Sequence, residues 1–120
     1  MIGTLESIVL DCPDPRALAE FYGEVLGMRI ASDDPGWVEI IGPGGRPLLA
    51  FQGVENYTPP QWPGQLVPQQ LHLDIKVDDL DAAEAGVLSL GATRTGSEKE
   101  TFRVYLDPAG HPFCLVSPVD

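Results

Sequence analysis

The sequence predicts an α+β fold in which one chain carries two tandem βαβββ modules, and two observations support this. "GPGGRPLLAF" (42–51) and "DPAGHPFCLV" (107–116) superimpose at a constant offset of 65 residues, aligning Pro43 with Pro108, Gly45 with Gly110 and Pro47 with Pro112. The same offset carries Asp14, ahead of "PRALAEFYGEVLG", onto Asp79, ahead of "LDAAEAGVLSLG". A turn motif and a helix start that repeat in one register indicate a duplicated unit.

The first module is assigned to residues 1–53. "LESIVLDC" reads as a strand in which Ile8, Leu10 and Cys12 form one apolar set. It ends at "PDP", where Asp14 suits a helix N-cap and Pro15 suits the first helical position, whose amide hydrogen has no intrahelical partner. Leu18, Phe21, Tyr22, Val25 and Leu26 recur at helical spacing, and Gly27 closes the helix. "MRIAS", "WVEIIG" and "PLLAFQ" then read as three short strands separated by turn residues. Residues 54–69 form a proline-rich linker that contains Trp62.

The second module, residues 70–120, repeats this order. A strand is expected over 70–77 and a helix from Asp79 to about Leu90, with acidic Asp81 and Glu84 near its positive end and Gly91 as its stop. Three strands follow. Alternation places His72, Asp74, Lys76 and Asp78 on one side of the fifth strand, and Leu71, Leu73, Ile75 and Val77 on the other. The apolar side should meet the helix, which leaves His72 on the opposite face. In the first strand, Ser7, Val9 and Asp11 take the corresponding side. Cys12 points with Ile8 and Leu10, so no Cys12–Cys114 bridge is expected.

Composition narrows the function. Eighteen acidic and seven basic residues give a formal charge of −11, which disfavours phosphate backbones and anionic lipid surfaces. No nucleic-acid or membrane partner is expected, and the absence of a basic, then apolar, leader favours a cytoplasmic location. "GPGG" lacks the following helix of a phosphate loop and reads as a tight turn, and His111 reads as part of a turn. Trp62 in a linker is hard to explain as core and suits a lid over a pocket.

With these motifs in order, the chain resembles the vicinal oxygen chelate superfamily, which includes glyoxalases, bleomycin-resistance proteins and extradiol dioxygenases. The resemblance rests on "VLDCPDPRALAEFYGEVLGM", "LHLDIKVDDLDAAEAGVLSLGA" and "VYLDPAGHPFCLV". "PPQWP" and "PQQLHLDI" look most like the glyoxalase-like subgroup. It implies that each sheet curls into half of a cup-shaped site, and that the protein is a homodimer. Metal-dependent members place one ligand on the first and one on the last strand of each module. Those positions fall here on Ser7, His72, Leu49 and Cys114. Leu49 cannot ligate and Ser7 is a poor ligand, so no metal or other cofactor is expected unless Asp74 or a neighbouring chain assists.

The function expected on these grounds is metal-independent binding of a small apolar or aromatic molecule. Leu49, Phe51, Cys114 and Val116 would line an apolar wall, His72, Ser7 and Gln70 would supply polar contacts, and Trp62 would close the mouth. Two alternatives stand beside it. One is a divergent lyase, isomerase or dioxygenase using His72 with Cys114 or Asp74, and the other is a ligand-free structural domain whose cup is packed shut.

Overall fold

Both helices begin where a carboxylate can satisfy the first free amides. Asp14 accepts from the Ala17 amide at 3.2 Å and opens α1 (Pro15–Leu26). Asp79 accepts from Asp81 at 2.9 Å and Ala82 at 3.2 Å and opens α2 (Leu80–Ser89). Around them run β1 (Ile8–Cys12), β2 (Arg29–Asp34), β3 (Trp37–Ile41) and β4 (Pro47–Gly53), then β5 (Leu73–Lys76), β6 (Thr93–Lys99), β7 (Phe102–Leu106) and β8 (Pro112–Val116). These elements come from a computed structural model that describes residues 1–45 and 47–117. Arg46 and residues 118–120, assigned above to the two modules, lie outside the described residues.

The chain divides into two compact units, residues 1–57 and 58–120, each with one βαβββ set. Their sheets have equivalent orders, β1-β4-β3-β2 and β5-β8-β7-β6, in which the first and last strands of a module pair in parallel and the others antiparallel. The repeated turns match as well. Gly45 and Gly110 have φ of 74° and 91°, a left-handed conformation that a side chain would strain. The Asp107 side chain accepts from the Ala109 and His111 amides at 2.8 and 3.0 Å, so the His111 backbone serves the turn.

The first unit buries a continuous apolar layer between α1 and its sheet. Leu18, Ala19, Phe21 and Tyr22 of α1 are buried, as are Leu10, Cys12, Val38, Ile40 and Phe51 of the strands. Tyr22 stacks on Phe51 with ring centroids 6.0 Å apart and meets Phe21 edge-on at 4.9 Å. In the second unit Tyr105 stacks on Phe113 at 5.7 Å, with Leu115 buried beside them. Among the described residues no helix is long and apolar enough to cross a membrane.

Two expectations from the sequence need correction. The fifth strand begins at Leu73, not at residue 70, so Gln70 and His72 precede it. Leu73 pairs with Phe113, and the residue that would face His72 is Pro112, which has no amide hydrogen to continue the ladder.

The second correction concerns the constant offset. β3 pairs with β4 as Ile41↔Pro47 and then Ile40↔Leu49, leaving Leu48 as an extra residue in the ladder. The equivalent pairing of β7 with β8 runs Leu106↔Pro112, Tyr105↔Phe113 and Val104↔Cys114 without interruption. The bulge moves every later residue of β4 to the other face. Leu49 and Phe51 therefore pair with Ile8 and Leu10 on the side of α1, and do not line the opposite face. The residue placed like Cys114 is Ala50, which pairs with Val9 as Cys114 pairs with Asp74.

Candidate functional site

The parallel pairing of β5 with β8 sets Asp74 beside Cys114 on the sheet face turned away from α2. The same face carries Val104 of β7, in register with Cys114. His72 leads into β5, and its Nε2 lies 3.2 Å from Asp74 Oδ1. One ligating atom from each of His72, Asp74 and Cys114 falls within 4.8 Å of the others. The sequence treated Asp74 as an accessory to His72, whereas the structure makes it the residue that both of the others touch.

The environments of the three side chains differ in a way that assigns roles. Those of His72 and Asp74 are 42% and 63% exposed, whereas Cys114 is only 8% exposed. Burial, then the negative charge of Asp74 and a hydrogen bond to it, push the Cys114 thiol up to about 11. At neutral pH it is a thiol that donates to Asp74, not a thiolate. An imidazole-activated cysteine nucleophile needs the opposite shift.

The donor types suit a metal of the zinc class, which takes imidazole, thiolate and carboxylate. Bonds of about 2.0–2.3 Å require neighbouring donors roughly 3.3–3.8 Å apart around a tetrahedral ion. A trio spanning up to 4.8 Å needs a small contraction and loss of the thiol proton to reach that geometry. The residues fit such an ion as three donors with an open position.

The remaining predicted residues are distributed as follows. Gln70 is exposed just ahead of His72, and Val116 is half-buried on the Cys114 face, in register with Lys76. Ser7 is half-buried immediately before β1 in the first unit. Leu49 and Phe51 are in the α1-facing core. Trp62 is half-buried in a linker loop that the Gln61 amide closes on the Val67 carbonyl at 2.6 Å. Cys12 and Cys114 are both thiols and not a disulfide, and the Cys12 thiol donates to the Gln52 carbonyl at 3.6 Å.

Sequence reasoning missed a polar cluster in the first unit, on the sheet face turned away from α1. Glu39 accepts from Trp37 Nε1 at 3.1 Å and from the Ser32 hydroxyl at 3.3 Å, one donor per carboxylate oxygen. The signal was present in β3, where half-buried Trp37 and Glu39 alternate with buried Val38 and Ile40.

The comparisons with known proteins bear on this geometry. A family model described as a glyoxalase-like domain matches residues 7–116. The chain belongs to the glyoxalase-like domain family. This places it in the vicinal oxygen chelate superfamily, with which its two βαβββ modules agree.

Solved structures share the fold of this glyoxalase-like chain over nearly its whole length. A glyoxalase/bleomycin resistance protein/dioxygenase family enzyme from Burkholderia phytofirmans PsJN has a TM-score of 0.70 at 17% identity, covering 96% of this chain and 98% of its own. A possible glyoxalase from Bacillus cereus has a TM-score of 0.69 at 12% identity, covering 97% and 99%. A glyoxalase-related enzyme from Fulvimarina pelagi has a TM-score of 0.68 at 20% identity, covering 97% and 88%. Identities this low establish the fold alone. No curated protein matches the sequence.

Proposed function

We propose that this glyoxalase-like protein binds a small apolar or aromatic molecule without a resident metal, and that His72, Asp74 and Cys114 form the centre of its site. The observation that carries this reading is the convergence of the three side chains on one face of the second module's sheet. Cys114 supplies a neutral, buried floor, flanked by Val116, while His72 and Asp74 are open to a ligand. With Nε2 held 3.2 Å from Asp74 Oδ1, the other ring nitrogen of His72, Nδ1, is left for a polar contact with a ligand. The corresponding positions of the first module, Ser7 and Ala50, offer no strong metal donor, and the apparent thiol pKa sets a proton-release cost on any ion that uses Cys114.

The donor set favours one second reading, in which a zinc-class ion is held by the same trio. Such an ion would polarise a bound carbonyl or activate water, with His72, Asp74 and Cys114 as its ligands. A thermal-shift series on chelator-treated protein separates the readings, because specific binding raises stability by mass action. Small aromatic compounds should raise the midpoint in wild type and lose that effect in His72→Ala. Stabilisation by zinc alone, abolished in Cys114→Ser, would establish the second reading. No response to either class would overturn both.

A further inference from the structure

Aligned through their N-caps Asp14 and Asp79, the two modules hold their helices with different mixtures of apolar and ionic contacts. Leu18, Ala19, Phe21 and Tyr22 of α1 are all buried over a sheet that presents Val38 and Ile40, themselves 1% and 0% exposed. The corresponding residues of α2 are Ala83, Glu84, Gly86 and Val87, and those of β7 are Arg103 and Tyr105. Only Val87 of α2 is buried. The helix lacks large core-filling side chains, and beside the buried Val87, Phe113 and Leu115 a carboxylate, a guanidinium and a phenol join it to β6 and β7.

These groups are joined. The Tyr105 hydroxyl donates to Glu84 Oε1 at 2.8 Å, and Arg103 Nη1 lies 3.7 Å from the same oxygen. Arg94 Nη2 of β6 reaches Glu84 Oε2 at 2.9 Å. Arg103 also holds Asp81 of α2 at 2.9 Å through Nη2 and approaches Glu98 of β6 at 3.4 Å through Nε. The network borders a surface depression of ≈ 290 Å³, which gives solvent ions access to it. Register puts Arg103 and Tyr105 on either side of Val104, whose own side chain faces Cys114 through the other side of the sheet.

We propose that α2 is held to its sheet by an ionic latch centred on Glu84 and Arg103, so that rising ionic strength loosens its docking as one segment while α1 stays in place. Apolar burial depends on area and responds little to screening. Accessible ion pairs weaken as the Debye length falls from about 10 Å at 0.1 M to about 3 Å at 1 M salt. α1 has exposed pairs of its own, from Arg16 to Glu20 and to Asp33, but four buried side chains hold it independently of them. The device makes the face behind Cys114 the part of the second module most responsive to ions.

Amide hydrogen exchange followed by mass spectrometry tests this on the intact wild-type chain between roughly 0.1 and 1 M sodium chloride. Exchange in residues 80–89 should accelerate about three- to tenfold with salt, while residues 15–26 change by less than about twofold. Arg103→Gln should exchange rapidly over 80–89 at low salt and lose the salt response. Arg94→Gln, at the edge of the network, should reduce that response without abolishing it. A parallel response in both helices, or none in 80–89, would overturn the proposal whatever the variants do.

Discussion

Cys114 shows how neighbours set the chemistry of a single residue. Its thiol is buried and sits against a carboxylate, and both effects disfavour ionisation. Removing the Asp74 charge should bring the thiol back toward its ordinary range. In a Cys12→Ala background, Asp74→Asn should react with a thiol reagent several-fold faster at pH 8 than the parent, and an unchanged rate would remove Asp74 from the account. The raised value also has a stability consequence. A group that holds its proton more tightly when folded contributes stability that is complete below its ordinary pKa of 9.0 and is lost as pH rises toward about 11. Tyr105, raised from 10.0 to about 12 by burial and then by its bond to Glu84, acts in the same direction. Chemical denaturation should therefore show stability falling between pH 9 and 12, with a shallower slope in Cys114→Val.

At the scale of elements, one inserted residue decides what β4 contributes. The bulge at Leu48 turns Leu49 and Phe51 toward α1 and leaves Ala50 as the counterpart of Cys114. Nothing in the composition of "PLLAF" marks it, because the strand is apolar on both faces and either register satisfies the hydrophobic pattern. The bulge is therefore invisible in the repeat, although the repeat marks both helix N-caps and both Pro-Gly turns. If Phe51 is core, Phe51→Ala should cost about 3–5 kcal/mol in equilibrium denaturation. A cost below about 1 kcal/mol would mean that Phe51 is not packed against Tyr22.

For the whole molecule, the duplication made the fold legible. Cap and turn residues recur at one offset, and each depends on local backbone chemistry that a sequence displays openly. The site was only partly legible. His72 and Cys114 came from the family resemblance, but the position of Asp74 between them depends on the parallel β5–β8 register, which pairs residues about forty positions apart. The ionic α2 interface was equally hidden, because Glu84, Arg103 and Tyr105 look like ordinary surface residues until the topology brings them together. The central claim is that His72, Asp74 and Cys114 form the binding centre. Its most direct test is amide chemical-shift mapping of chelator-treated, ¹⁵N-labelled protein titrated with small aromatic compounds. Saturable shifts should concentrate in residues 72–76 and 112–116 and be absent in His72→Ala. Saturable shifts confined to other parts of the chain, or shifts that persist in that variant, would contradict it.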